Sequence, residues 1–239
     1  MKGTQSRSTA ATFYTDAQIA TWLRGLLAVA WADGDFSPDE REAIGRITQQ
    51  ELAPTVELGE LERIEPAELA QVLGGDRATA ENFMRTAVMV AITDGLYTPA
   101  ESQLLNAFAQ ALGLELEALK SLERTLSDGN DTASGGDVRA ASASQQSDGS
   151  AYPHTDLLQP VKEWLQGVEV RDPRLARFIC RMIPAQCPFE REIKLFGYKI
   201  VRIPPLCKLN PLYEQLVDLR FRALSYLADE CGEDVSQYV

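Results

Sequence analysis

The sequence predicts a mainly α protein: an all-helical repeat bundle, then a flexible linker, then a small, mostly helical second domain with one β-hairpin. Three observations predict it. Apolar residues in the first half recur at helical spacing, and no stretch there alternates with period two long enough for a strand. The same pattern returns 61 residues later. A stretch poor in large apolar side chains then divides the chain.

The first helix begins at Thr15-Asp16, a capping pair, and carries Ile19, Trp22, Leu23, Leu26 and Leu27 at helical spacing. Asp76–Thr93 does the same with Phe83, Met84, Ala87, Val88 and Val90. At an offset of 61, Trp22 matches Phe83, Leu23 Met84, Leu27 Val88, Val29 Val90 and Ala30 Ala91. Further on, Leu58, Leu61, Glu62 and Arg63 fall on Leu119, Leu122, Glu123 and Arg124. Two such units packed face to face would share one core.

Each unit ends on an acidic turn, "WADGDFSPDERE" at 31–42 and "ITDGLYTPAESQ" at 92–103. As structure, each Gly closes a helix and Ser37-Pro38-Asp39-Glu40 and Thr98-Pro99-Ala100-Glu101 open the next with a capping box, Phe36 and Tyr97 pinning the turns. As chemistry, carboxylates from two turns could form an all-oxygen site for a divalent cation. Gly34 follows Asp33 at once, which excludes an EF-hand loop.

These residues, ADG-(x)3-P-x-E in one half and TDG-(x)3-P-x-E in the other, resemble the TerB-like domain of tellurite-resistance proteins over 14–127. The resemblance implies a divalent cation held by Asp33, Glu40, Asp94 and Glu101; on the residues alone, Asp35 and Asp39 could add to it in the first turn. Leu96 and Ala100 stand where the first turn has Asp35 and Asp39, so the second turn is poorer in ligands.

Residues 128–153, within "SDGNDTASGGDVRAASASQQSDGSAYP", have too little to bury and read as the linker. The second domain, 154–239, starts with a short helix bearing Trp164 and Leu165. Asp172-Pro173 caps "RLARFICR", with Arg174, Arg177 and Arg181 on one face and Leu175, Phe178 and Ile179 towards a core. "EREIKLFGYKIVRIPPLC" reads as a hairpin turning near Gly197-Tyr198, and Asn210-Pro211 opens a last helix that packs Leu212, Leu216, Leu219, Leu224 and Leu227. This half resembles the cyanobacterial family named after the C-terminus of molybdenum-dependent nitrogenase. The phrases that carry the resemblance are "PVKEWLQGVEVRDPRLARFICRMIPAQCPFEREIKLFG" and "IPPLCKLNPLYEQLVDLRFRALSYLADECGED". It has no Gly-rich nucleotide loop and no cysteine pattern for a nitrogenase cluster.

The four cysteines, Cys180, Cys187, Cys207 and Cys231, with His154 as a further ligand, offer a thiol zinc or iron–sulfur site. Without a paired C-x-x-C, buried reduced thiols are the plainer reading.

Net charge is −12, of which residues 1–130 carry −10, with 10 basic and 20 acidic side chains. That field repels the phosphates of nucleic acid and of anionic membrane. The longest apolar run, Leu26–Ala32, is too short for a membrane span. The start, MKGTQSRSTAATF, does not read as a secretory signal, so a cytoplasmic setting is expected. Residues 171–208 carry +6, which suggests a docking surface at Arg174, Arg177, Arg181 and Lys199 for an acidic protein, the first domain included.

A single histidine and no cofactor loop argue against an enzyme. The expected function is a non-catalytic cytoplasmic accessory or interaction protein with a metal-binding helical domain, in metal or stress response. The alternatives are a metal-dependent enzyme built on the acidic turns and a thiol metalloprotein.

Overall fold

The computed structural model describes residues 13–32, 64–93, 97–131, 158–183, 191–195, 198–203 and 212–238. The chain is mainly helical. In the first half the helices are α1 (Asp16–Ala30), α2 (Pro66–Leu73), α3 (Arg77–Ala91), α4 (Pro99–Ala111) and α5 (Glu117–Asp131). In the second they are α6 (Gln159–Leu165), α7 (Pro173–Met182) and α8 (Tyr213–Ser225), the last running into a π turn at Tyr226–Glu230. Helix α5 continues to Asp131, past the expected domain end at residue 127.

Between α7 and α8, the strands β1 (Arg191–Leu195) and β2 (Tyr198–Ile203) pair antiparallel, Arg191 opposite Ile203 and Leu195 opposite Tyr198. Phe196 and Gly197, where the hairpin turn was expected, lie outside the described residues. The mainly α class rests on the helices.

The repeat sets the centre of the fold. Helices α1 and α3 begin and end 61 residues apart and leave by the same route. Trp31 N–H donates to the Leu27 carbonyl and Ala32 N–H to that of Val29, and their equivalents Ile92 N–H and Thr93 N–H donate to Val88 and Val90. Both helices start on a side-chain cap: Thr15 Oγ1 accepts from Gln18 N–H, and Asp76 accepts from Thr79 N–H. Trp22, Leu23, Leu27, Phe83, Met84 and Val88 are all buried, as the matched spacing requires. Each such side chain contributes about 1.5–3 kcal/mol by leaving water.

Close approach of α1 and α3 depends on Gly25. A Cβ there would lie 2.8 Å from the Phe83 ring and 3.0 Å from Leu69 Cδ1. At the end of α4 the chain turns through Gly113 at φ 66°, a conformation that costs glycine little. Leu114 N–H then reaches the Ala109 carbonyl at 2.9 Å and closes the helix.

Helix α7 starts at Asp172, whose carboxylate accepts from Arg174 N–H, with Pro173 in the first position. Its Leu175, Ala176, Phe178, Ile179, Cys180 and Met182 are buried, as are Leu216, Leu219, Ala223 and Leu227 on and beyond α8. Gly232, at φ 64°, turns the chain after the π turn so that Glu233 pairs with Arg177. The buried apolar residues of the two halves form one continuous cluster.

A seam of buried polar groups as candidate functional site

Helices α6 and α7 lie against the first half, α6 near α3 and α5, and α7 near α1. The loop between them, residues 166–172, is where polar side chains converge. Asn82, on α3 and 3% exposed, pairs with the backbone of Glu169. Its Nδ2 donates to the Glu169 carbonyl at 2.8 Å, and Glu169 N–H donates to its Oδ1 at 2.8 Å. The second Nδ2 hydrogen goes to Tyr14 Oη at 3.3 Å, so both amide hydrogens and the amide oxygen are engaged.

One turn along α3, Arg85 donates from Nε to the Trp164 carbonyl at 3.1 Å and lies over the indole, 5.5 Å from the ring centroid. A Cβ on Gly167 would come within 3.1 Å of that guanidinium, so the glycine lets the loop approach. From the other side, Arg222 on α8 donates to the Val168 carbonyl at 2.7 Å, and Tyr226 Oη to the Arg171 carbonyl at 2.9 Å.

Arg174 crosses the seam. Its Nε and one terminal nitrogen each donate to Asp172 at 2.9 Å, a bidentate pair in which Asp172 is fully buried and Arg174 4% exposed. The same nitrogen donates to the Tyr14 carbonyl at 2.9 Å, and the other reaches Asp16 Oδ1 at 2.5 Å. Hydrogen bonds to Asp172 hold the Arg174 pKa above its ordinary value, while burial works the other way. Burial raises that of the Tyr14 hydroxyl, against the Asn82 hydrogen bond. Arg171 lies over the Phe13 ring at 4.9 Å. Polar groups here bond to each other and to backbone, and the arrangement ties the second half of the chain to the first.

The proposed docking arginines therefore do three different things. Arg174 is buried in the seam, not on a shared solvent face, because Asp172 and the start of α1 together satisfy its guanidinium. Arg177 forms an ion pair with Glu233 within the second half, which raises its pKa. Arg181 lies 5.5 Å from the Tyr238 ring centroid. Lys199 falls in β2, where only the backbone is described.

Of the acidic turns, Asp33, Asp35, Asp39, Glu40 and Asp94 lie outside the described residues. Glu101 is described and closes the expected capping box: its carboxylate accepts from Thr98 N–H at 2.7 Å and Thr98 Oγ1 at 2.8 Å, while Glu101 N–H donates to Thr98 Oγ1 at 3.2 Å. Beside it, Ser102 Oγ and Asn106 Nδ2 donate to Glu123, at 3.2 and 2.5 Å. Burial pushes the nearby Tyr97 hydroxyl up to about 12.

His154, Cys187 and Cys207 also lie outside the described residues. Cys180 is buried and its thiol is pushed up to about 11 by desolvation. Cys231, half-buried, is raised mainly by the same cause. Among the described residues, no three His, Cys, Asp or Glu side chains gather as a metal site would require.

Tyr14, Asn82, Arg85 and the loop residues 166–171 are what sequence reasoning missed. The available signal was a polar Asn82 set directly before Phe83 and Met84 on a buried helix. Residues 157–239 match the family model for the Mo-dependent nitrogenase C-terminus. The match runs from before α6 to residue 239, so Trp164, Glu169, Asp172 and Arg174 lie within the matched stretch. Tyr14, Asp16, Asn82 and Arg85 lie outside it. No curated protein and no solved structure matches the chain. Among the described residues, no helix is long and apolar enough to cross a membrane.

Proposed function

We propose that this is a non-catalytic cytoplasmic accessory protein in metal or stress response. In this reading a TerB-like helical domain binds a divalent cation through its acidic turns and is coupled to the nitrogenase C-terminus segment. The observation that carries the reading is the repeat: α1 and α3 share length, side-chain caps and buried positions at an offset of 61, and the sequence places an Asp-Gly pair after each. A pseudo-symmetric pair of helices brings equivalent chain ends to equivalent places, which is what a site shared between two turns needs. The thiol alternative is not favoured, since Cys180 is buried where a thiolate is costly.

The test is elemental analysis of protein purified without added metal, followed by melting with millimolar calcium or magnesium. A bound hard cation and a melting temperature raised by it are expected, with the rise lost in the Asp33→Asn, Asp94→Asn double variant. Bound zinc or iron would point to the cysteines instead. A melting curve indifferent to every divalent ion would leave the turns as helix joints alone.

A further inference from the structure

We infer that the α6–α7 face of the nitrogenase C-terminus segment is a protein-docking surface whose occupant is this chain's own first half, held by specific buried hydrogen bonds without need of the covalent connection. The inference stands independently of cation binding at the acidic turns.

Three observations carry it. First, the surface reads defined groups: an aspartate at the first position of a helix, the carbonyl two residues before it, and an asparagine and an arginine spaced three apart on a second helix. Second, the segment's own chemistry is incomplete without them. Asp172 neutralises Arg174, but among the described residues its further guanidinium hydrogens find acceptors on Tyr14 and Asp16, and the Glu169 peptide finds its partners on Asn82. On separation these groups would meet water, so their hydrogen bonds specify which surface fits while burial of apolar area supplies most of the drive. Third, apolar burial is continuous across the join, with Val161, Leu165 and Val168 in the same cluster as Trp22 and Phe83.

The long-range charge contrast between the halves is not the main force. Among the described contacts across the join, Asn82 is neutral, Arg85 meets a carbonyl and an indole, Arg171 lies over the Phe13 ring, and Arg174–Asp16 is an ion pair. The buried Asn82 contacts are neutral and indifferent to salt, whereas the Arg174–Asp16 pair, with Asp16 largely exposed, is screened over about 8 Å at physiological ionic strength.

The experiment uses the full chain carrying a specific protease site inserted among residues 140–145, purified folded and then cut. The halves should co-elute in size-exclusion chromatography at about 10 μM, with binding changed less than about threefold between 50 and 500 mM salt. Asn82→Ala in the same cut chain should weaken association about tenfold or more, as loss of partners for a buried peptide implies. Asp16→Asn, whose side chain is largely exposed, leaves the helix intact and should weaken it by a smaller factor. It serves as the readout if the Asn82 variant does not fold before cutting. Halves that part on cutting, that part as salt rises, or that stay together undiminished by the folded variants would each overturn the inference.

Discussion

Trp22 and Phe83, equivalent residues of the repeat, stand edge to face with ring centroids 5.8 Å apart and planes at 81°. The two copies of one sequence position thus meet at the centre of the fold. Tyr14 packs on Trp22 at 4.9 Å and Phe108 on Phe83 at 5.8 Å, so a line of rings runs from the first described turn through α1, α3 and α4. Edge-to-face pairs add about 0.5–1.5 kcal/mol each beyond the area they bury.

That geometry makes Gly25→Ala an overpacking variant. The added methyl meets Phe83 in a ring already held on both sides, and a cost of about 1–3 kcal/mol is expected. Urea denaturation would measure it. Gly75→Ala, which adds a methyl into open space, is the control and should change stability little.

The capping box at α4 predicts that Thr98→Ala costs about 0.5–2 kcal/mol, because Glu101 N–H and the Glu101 carboxylate lose the same partner. Thr15→Ala at α1 should cost about as much by the same measurement. An unchanged midpoint for both would contradict the caps.

Removing one member of the buried pair should be far more damaging. Arg174→Met leaves Asp172 uncompensated at full burial, and a loss of about 3–5 kcal/mol is expected. Arg177→Met, which breaks a partly exposed pair with Glu233, should cost much less. Comparable losses for the two would show that burial does not separate them.

Cys180 gives a pH dependence with a definite sign. Its thiol is pushed from 9.0 up to about 11 by burial, so the folded state keeps the proton longer than the unfolded state does. The contribution is fully present below pH 9.0 and is lost as pH rises towards about 11. Stability measured across that window should therefore fall less steeply in Cys180→Ala than in the parent. A thiol reagent at pH 8 should modify Cys231 well before Cys180, which is 4% exposed.

Much of the helical fold was legible because it depends on spacing. Ile19, Trp22, Leu23, Leu26 and Leu27 recur every three or four residues, and all are buried. Thr15, Asp76, Thr98 and Asp172 cap helices because their oxygens answer amides two or three residues on, a local matter. The seam was not legible, for the opposite reason. Arg174 shares helical spacing with Arg177 and Arg181, yet its surroundings are decided by Tyr14 and Asp16, on the far side of the sequence. Asn82 looks like an indifferent helix residue until the Glu169 peptide lies beside it. Helix α2 is eight residues long and too short to announce itself by period, though Glu65-Pro66 and Gly74 mark its ends.

The 61-residue repeat has one more consequence, which concerns inheritance. Arg24 and Arg85 occupy the same place in the two copies, as do Thr21 and Asn82. Arg24 pairs with Glu68 of its own half, whereas Arg85 reaches the Trp164 carbonyl of the other. Once a helix exists twice, one copy can hold the ancestral contact while its twin is recruited to a neighbour. A change at Arg24 is then a private matter of the first half. At Arg85 it is answered by residues some eighty positions away, and the two twins should drift under different constraints.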